Sequence, residues 1–227
     1  MGRSIVHPLI LFVLIAHLSI WTVNAQSSIP ARYDGFVYGR AKEDSIVIEA
    51  FFDPICPDSR DSWPPLKRVI EDYSPHVSLI VHPFALPYHD SSFVSCRALH
   101  IANKLNESAT YPLLELFFNK QGKYYNKPTL QMSRASVVTS MAQLMAEVVG
   151  DSFSAIKAGF EDPHTDRAAR TSFKYGCSRG VYGTPFFFVN GFALPDGGSP
   201  IDYNKWKSII APLIGHRNKE EVLHFFL

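Results

Sequence analysis

The segment from Ile46 to Arg60, with the sequence IVIEAFFDPICPDSR, most constrains what this chain can fold into. Its first seven residues form an apolar run rich in β-branched and aromatic side chains, which predicts a buried strand. Asp53-Pro54 ends the run, and Cys56 follows at the predicted start of a helix. Unpaired N–H groups and partial positive charge at a helix N-terminus stabilise a thiolate. This context favours a reactive, solvent-reachable Cys56, although a lone cysteine behind a strand is more often a buried structural residue.

A second informative segment, VYGTPFFFVNG, runs from Val181 to Gly191. Thr184-Pro185 leads directly into a strand-like run, Phe186 to Val189, and Asn190-Gly191 is a strong hairpin signal. The segment therefore predicts a loop that enters an antiparallel pair of strands.

The order of these two segments, with a long helical stretch between them, resembles the DsbA-like branch of the thioredoxin superfamily over about Asp44 to Gly215. The resemblance implies an α/β fold, in which a thioredoxin-like mixed sheet carries an inserted helical domain. It implies that Cys56 is the nucleophile and that Pro185 follows a cis peptide bond beside it. It also implies that Pro57, Thr184 and Pro185 border a substrate groove, where the backbone of Thr184 pairs with an extended substrate.

The chain differs from a dithiol C-x-x-C site because it reads C-P-D-S, with Ser59 in place of the second cysteine. Ser59 can donate a hydrogen bond to the Cys56 sulfur but cannot form an internal disulfide, so a dithiol oxidase cycle is unavailable at this motif. What remains is one-thiol chemistry on protein, peptide or glutathione disulfides, with glutathione as a co-substrate and no resident cofactor. Asp58 disfavours the thiolate, so modest reactivity is expected. The alternative is a non-catalytic module that binds peptides or client proteins in the groove beside Pro185.

Residues 1–25 are predicted to form a cleavable signal peptide. Arg3 precedes an apolar run from Leu9 to Trp21, and small residues occupy the last and third-last positions before Gln26. The alternative of a membrane anchor is disfavoured because the run is shorter than the roughly 20 residues that a bilayer span requires. The expected location is outside the cell or in an endomembrane lumen, without a stable anchor after cleavage. One of the 22 basic residues lies in this segment, so the rest of the chain carries equal numbers of basic and acidic residues and has no net formal charge. This charge balance gives no indication of a nucleic-acid partner.

The expected organisation is a thioredoxin-like core from residues 26–90 and 178–215, a helical insertion at 91–177, and a tail at 216–227. A strand from His76 to Phe84 is predicted to lie parallel to the first strand, after a helix that Pro64 and Pro65 are expected to kink. Helices are predicted at Ser92–Leu105, Tyr111–Asn119, Ser133–Val149, Ser152–Phe160, His164–Cys177 and Ile201–Ile214.

His89 follows the second strand at the sheet edge where Cys56 is expected, which makes it a candidate base or thiolate partner, although an ordinary surface-loop histidine is the commoner case for such a residue. Cys96 and Cys177 are either a disulfide that ties the insertion to the core or two unpaired cysteines, and both interpretations stay open.

Asn106 begins an N-glycosylation pattern, Asn-Glu-Ser. The histidines lack metal-ligand spacing, so no metal site is expected. The segment Gln121 to Thr129 is predicted to be the least ordered loop.

Overall fold

A computed structural model describes residues 33–39 and 45–224, with the side chains of 216–224 excepted. The predicted signal peptide lies outside the described residues. Five strands in the described part form one mixed sheet in the order β1-β3-β2-β4-β5. The strands are β1 (Phe36–Tyr38), β2 (Ile46–Phe52), β3 (Val77–Pro83), β4 (Phe186–Val189) and β5 (Phe192–Ala193).

The central pair, β2 and β3, is parallel, as the sequence predicts, and pairs Ile46 with Val77 through Phe52 with Pro83. β1 runs antiparallel to β3, and β4 runs antiparallel to β2. Because side chains alternate across a strand, Ile48, Ala50 and Phe52 face the main core while Phe51 joins a smaller aromatic cluster. β2 thus supplies side chains to both hydrophobic clusters.

Helix α1 (Pro57–Asp72) connects β2 to β3 and runs through Pro64 and Pro65 without a break. The helix therefore does not break at the prolines, and the expected kink stays a prediction. The two prolines leave the carbonyl groups of Arg60 and Asp61 without helical donors. Both residues are exposed, so water can satisfy these carbonyls.

The segment between β3 and β4 is helical, as predicted. It contains α2 (Ser92–Leu105), α3 (Thr110–Lys120), α4 (Asn126–Thr129), α5 (Arg134–Val149), α6 (Phe153–Gly159) and α7 (Pro163–Ser178). The prediction that Gln121 to Thr129 is the least ordered loop is wrong. Gln121–Tyr124 forms a turn of 3₁₀-helix in front of α4, and Gln121 and Tyr124 are both buried.

The chain closes with α8 (Tyr203–His224), which extends past the predicted end at Ile214 into the expected tail. Trp206 on this helix is fully buried and meets the ring of Phe187 edge-on, with 5.1 Å between ring centroids. Within the described residues, no helix combines the length and the apolar character that a bilayer crossing requires.

Gly176 allows α7 to pack closely on the sheet. A Cβ atom added at Gly176 would lie 2.5 Å from Cδ2 of Phe84 and 3.3 Å from Cδ1 of Phe51. We therefore expect Gly176→Ala to lower the free energy of unfolding by about 1 to 3 kcal/mol through overpacking. The matched control is Gly122→Ala, where nothing lies within 4 Å of the added atom. Urea unfolding of both variants measures the difference, and an equal effect of the two would contradict close packing at Gly176.

Candidate functional site

Cys56 occupies the turn between β2 and α1, at the N-cap of the helix. Its backbone N–H donates to the Asp53 carbonyl at 3.0 Å, and its own carbonyl accepts from Arg60 N–H at 3.1 Å. Cys56 therefore caps the helix through its backbone, and its side chain makes no capping hydrogen bond to the first turn. The residue is only 3% exposed, because it packs in the aromatic cluster between β2, β4 and α7. The expectation of a solvent-reachable Cys56 is wrong for this conformation.

The loop in front of β4 covers the sulfur. The Cys56 thiol donates to the carbonyl of Thr184, with 3.5 Å between sulfur and oxygen. The peptide bond from Thr184 to Pro185 is cis. The Pro185 carbonyl accepts from Gly198 N–H at 2.7 Å, which ties the loop to the segment after β5. Thr184 itself is 3% exposed, and its buried hydroxyl has no partner among the described residues. The structure thus brings Cys56, Thr184 and Pro185 together.

Ser59 and Pro57 belong to the first turn of α1. Pro57 is the first helical residue, where its missing N–H costs nothing. Ser59 is fully buried and accepts a hydrogen bond from the backbone N–H of Asp53 at 3.3 Å. Ser59 therefore holds the end of β2 against the helix, and no hydrogen bond joins it to the Cys56 sulfur within the described contacts.

Asp53 organises the turn, and the sequence analysis treated it only as the end of a strand. Its carboxylate is fully buried and accepts from Ile55 N–H at 3.0 Å and from Leu86 N–H at 3.3 Å. The same carboxylate lies 2.8 Å from Nδ1 of His89. His89 is thus a partner of Asp53, and it belongs to the site through Asp53 rather than through the sulfur.

Gln121 is the second residue that the sequence analysis missed. It is 1% exposed, and its side-chain amide donates to the carbonyls of Pro54 at 3.3 Å and of Cys56 at 3.2 Å. Its amide oxygen accepts from the hydroxyl of Tyr125 at 2.8 Å. A residue of the helical insertion therefore satisfies two carbonyls of the cysteine turn.

The same part of the insertion also holds the loop that follows β3. The side-chain amide of Asn126 donates to the Tyr88 carbonyl at 2.8 Å, and its oxygen accepts from Asp90 N–H at 3.0 Å. Tyr88 is 61% exposed at this border. The rim of the site is therefore shared by the insertion and the core.

The other two cysteines do not form the disulfide that the sequence allowed, since Cys56, Cys96 and Cys177 are all free. Cys96 is buried in α2, where burial, and next the carboxylate of Asp53, raise the pKa of its thiol well above the usual value. Cys177 is exposed near the end of α7. One thiol faces the interior and the other faces solvent, so the two do not meet.

Asn106, the predicted glycosylation site, is half-buried at the end of α2. Its side-chain nitrogen donates to the Val149 carbonyl at 3.0 Å, and its oxygen accepts from the Ser108 hydroxyl at 2.6 Å. The acceptor nitrogen is thus engaged in joining α2 to the end of α5. Its glycosylation stays a prediction.

A buried ionic cluster lies under α7, on the same face of the sheet as Phe51. The guanidinium of Arg179 pairs with both carboxylate oxygens of Glu49 at 3.1 Å, and the Tyr175 hydroxyl donates to the same carboxylate at 3.0 Å. The ring nitrogens of His82 lie 2.9 Å from Oδ2 of Asp34 and 3.5 Å from Oε1 of Glu49. Burial alone would raise the pKa of Glu49, but hydrogen bonds from His82, Arg179 and Tyr175 lower it to about 2.

Comparison with protein families gives a match to the model of the DSBA-like thioredoxin domain over residues 47–167, which is just over half of the chain. The chain belongs to this family. The match covers the Cys56 turn and most of the insertion, while the Pro185 loop lies beyond it. A search of curated proteins gives no match to the chain.

Solved structures with the same fold include thioredoxin-like proteins and a thiol-disulfide exchange protein. A thioredoxin-like oxidoreductase from Silicibacter pomeroyi has a TM-score of 0.60 at 18% identity and covers 80% of this chain and 92% of its own. The thiol-disulfide exchange protein alpha-DsbA2 from Wolbachia pipientis has a TM-score of 0.60 at 15% identity, with coverage of 79% and 87%. A periplasmic thioredoxin-like protein from Salmonella enterica serovar Typhimurium has a TM-score of 0.58 at 18% identity, with coverage of 78% and 88%. At these identities the likeness shows the DSBA-like thioredoxin fold alone.

Proposed function

We propose that this DSBA-like protein catalyses one-thiol disulfide exchange at Cys56 on protein or glutathione disulfides. The observation that carries the proposal is the position of the Cys56 sulfur at the N-terminus of α1, 3.5 Å from the carbonyl of Thr184 in front of Pro185. Unpaired N–H groups at the start of a helix are available as donors to an anionic group there. The Thr184 backbone beside it offers hydrogen-bonding groups to an extended substrate.

The chemistry requires two exchange steps. The Cys56 thiol releases its proton to solvent, and the thiolate attacks one sulfur of the substrate disulfide. An S–S bond forms to Cys56 while the substrate S–S bond breaks, and the second substrate sulfur leaves as a thiolate. Ser59 cannot attack the resulting mixed disulfide, so an external thiol such as glutathione attacks it and releases Cys56 as a thiolate. No net oxidation of the protein takes place over the cycle.

Access to the sulfur requires a local rearrangement, because Cys56 is 3% exposed and its thiol donates to Thr184. We infer that a substrate replaces this thiol–carbonyl contact and makes its own hydrogen bonds to the backbone of Thr184. An oxidising location outside the cell or in an endomembrane lumen suits this chemistry, and the predicted signal peptide supports that location.

The experiment is a turnover assay with a scrambled disulfide-bonded protein as substrate and glutathione as the resolving thiol. Wild type is compared with Cys56→Ser and with the matched variant Cys177→Ser, which removes an exposed thiol elsewhere. We expect Cys56→Ser to reduce the rate to the uncatalysed level and Cys177→Ser to keep the wild-type rate. Equal rates for wild type and Cys56→Ser would overturn the proposal.

A second candidate function is peptide or client binding without catalysis, and the burial of Cys56 specifically favours it. In this case peptides would bind beside Pro185 with the same affinity in wild type and in Cys56→Ser, and neither protein would accelerate exchange. Titration of an extended fluorescent peptide into both proteins, alongside the turnover assay, separates the two functions.

A further inference from the structure

A cavity of about 560 Å³ lies between the loop after β3 and helix α7. Its apolar wall contains Leu86, Phe93 and Phe173, and its charged lining contains Asp90, Arg170 and Lys174. The volume is within the range of roughly 300 to 1,000 Å³ that is typical of small-molecule sites.

The cavity adjoins the cysteine site through shared residues. Leu86 lines the cavity and belongs to the same buried cluster as Cys56, and Phe173 packs against that cluster. His89 also lines the cavity and contacts Asp53, three residues before the cysteine. A molecule in the cavity would therefore rest on side chains that belong to, or pack against, the cluster that contains Cys56.

The charged side chains around the cavity differ in whether they already have a salt-bridge partner. Arg170 pairs with Asp166 at 2.6 Å, and its guanidinium lies 5.5 Å from the centre of the Phe93 ring. Lys174 and Asp90 take part in no salt bridge within the described part of the chain. The lining therefore offers two cations, one of them unpaired, and one unpaired carboxylate.

We propose that this cavity binds the glutathionyl half of a disulfide during exchange at Cys56. Glutathione carries two carboxylates and one ammonium group, and the lining carries the complementary two cations and one carboxylate. The apolar wall would contact the methylene groups and peptide planes of the tripeptide. This inference rests on the proposed function and specifies its co-substrate. In the step itself, the Cys56 thiolate bonds to one sulfur of glutathione disulfide, and the other glutathione leaves as a thiolate.

The test compares three small disulfides that differ in charge, all in a Cys177→Ser background so that the exposed thiol does not react. The probes are glutathione disulfide, neutral bis(2-hydroxyethyl) disulfide and cationic cystamine, and intact-mass spectrometry follows adduct formation at Cys56. For Cys177→Ser without further changes, which is the reference protein, we expect a higher rate with glutathione disulfide than with the neutral probe, after correction for the reactivity of each probe towards a free thiol. This advantage should decrease at high salt, because exposed charges are screened.

Lys174→Glu should lower the ratio of the glutathione disulfide rate to the neutral rate by about three- to tenfold, and raise the cystamine ratio. The matched control is Lys157→Glu on α6, which makes the same charge change at an exposed lysine that does not line the cavity. Its ratios should stay at the values of the reference protein.

The outcomes distinguish this inference from the function on which it rests. Equal corrected rates for the three probes, or equal ratios for Lys174→Glu and Lys157→Glu, would overturn glutathione binding and leave exchange at Cys56 intact. A faster reaction with the disulfide of a longer acidic peptide would also overturn it in favour of a protein client. Failure of every probe to react at Cys56 would remove the proposed function itself.

Discussion

Replacing Ser59 with cysteine is expected to convert the one-thiol site into a dithiol site that closes an internal disulfide. Ser59 lies on the first turn of α1, three residues after the N-cap Cys56, which is the spacing of the dithiol motif. A second thiol at this position attacks a mixed disulfide intramolecularly, so we expect release of the bound partner to accelerate by at least about tenfold. Mass spectrometry after quenching with acid measures both the internal disulfide and the lifetime of the mixed disulfide.

The matched control for this prediction is Ser62→Cys. Ser62 is as fully buried as Ser59 and lies on the same helix, but its spacing from Cys56 does not match the dithiol motif. Ser59→Cys also loses the hydroxyl that accepts from Asp53 N–H, which should cost about 1 kcal/mol of stability. Release of mixed disulfides from Ser59→Cys no faster than from Ser62→Cys would contradict the prediction.

Replacing Glu49 with glutamine is expected to have the largest effect on stability. The Glu49 side chain is 11% exposed and holds the guanidinium of Arg179 through two bonds of 3.1 Å. Breaking this pair leaves Arg179 without its carboxylate under α7, while His82 keeps only Asp34. We therefore expect a loss of about 3 kcal/mol in the free energy of unfolding near neutral pH. The exposed Glu71→Gln provides the control for the same chemical change.

The loss of stability in Glu49→Gln should depend on pH in a defined direction. The pKa of Glu49 is lowered to about 2 in the folded protein from 4.5, so its contribution is present above about pH 4.5 and is lost as the pH falls towards 2. Burial lowers the pKa of His82, but Asp34 and Glu49 raise it above 6.5 overall. The contribution of protonated His82 to folding stability is therefore present below about pH 6.5 and is lost as the pH rises through its raised pKa.

Urea unfolding across this pH range tests the prediction. Wild type should lose stability on the acid side more steeply than Glu49→Gln, so that the two curves approach each other below about pH 4.5. A constant difference between the two proteins from about pH 7 down to about pH 3 would mean that Glu49 does not titrate with a lowered pKa.

The sequence predicted those parts of the fold that are determined by local pattern. The apolar runs gave β2 and β3 within a residue or two, and periodic apolar residues located α2, α5 and α7. The segment Gln121 to Thr129 was misjudged because its glycine and proline were interpreted as loop signals. Its order comes from contacts far along the chain, such as Gln121 with Cys56, which local pattern does not encode.

The candidate site was also predicted only in part, because local pattern does not encode contacts between residues that are far apart in the chain. Cys56 and Pro185 were identified because each lies in a recognisable segment, and the fold brings Thr184 to the sulfur. One sequence signal could have identified Asp53 as a site residue, since an acidic residue at the end of a buried strand needs partners in the turn that follows. No local sequence signal indicated the pairing of Glu49 with Arg179, because 130 residues separate them.

The measurement that tests the central claim most directly is the location of the first mixed disulfide. Native protein is incubated briefly with a disulfide substrate and quenched with acid, and its adducts are mapped by peptide mass spectrometry. Cys177 is exposed and Cys56 is 3% exposed, so accessibility alone would place the adduct on Cys177. We predict that Cys56 carries the adduct first, because it lies at the start of α1 and a disulfide substrate replaces the Thr184 carbonyl as the partner of its sulfur. Adducts that accumulate on Cys177 while Cys56 stays unmodified would contradict the account.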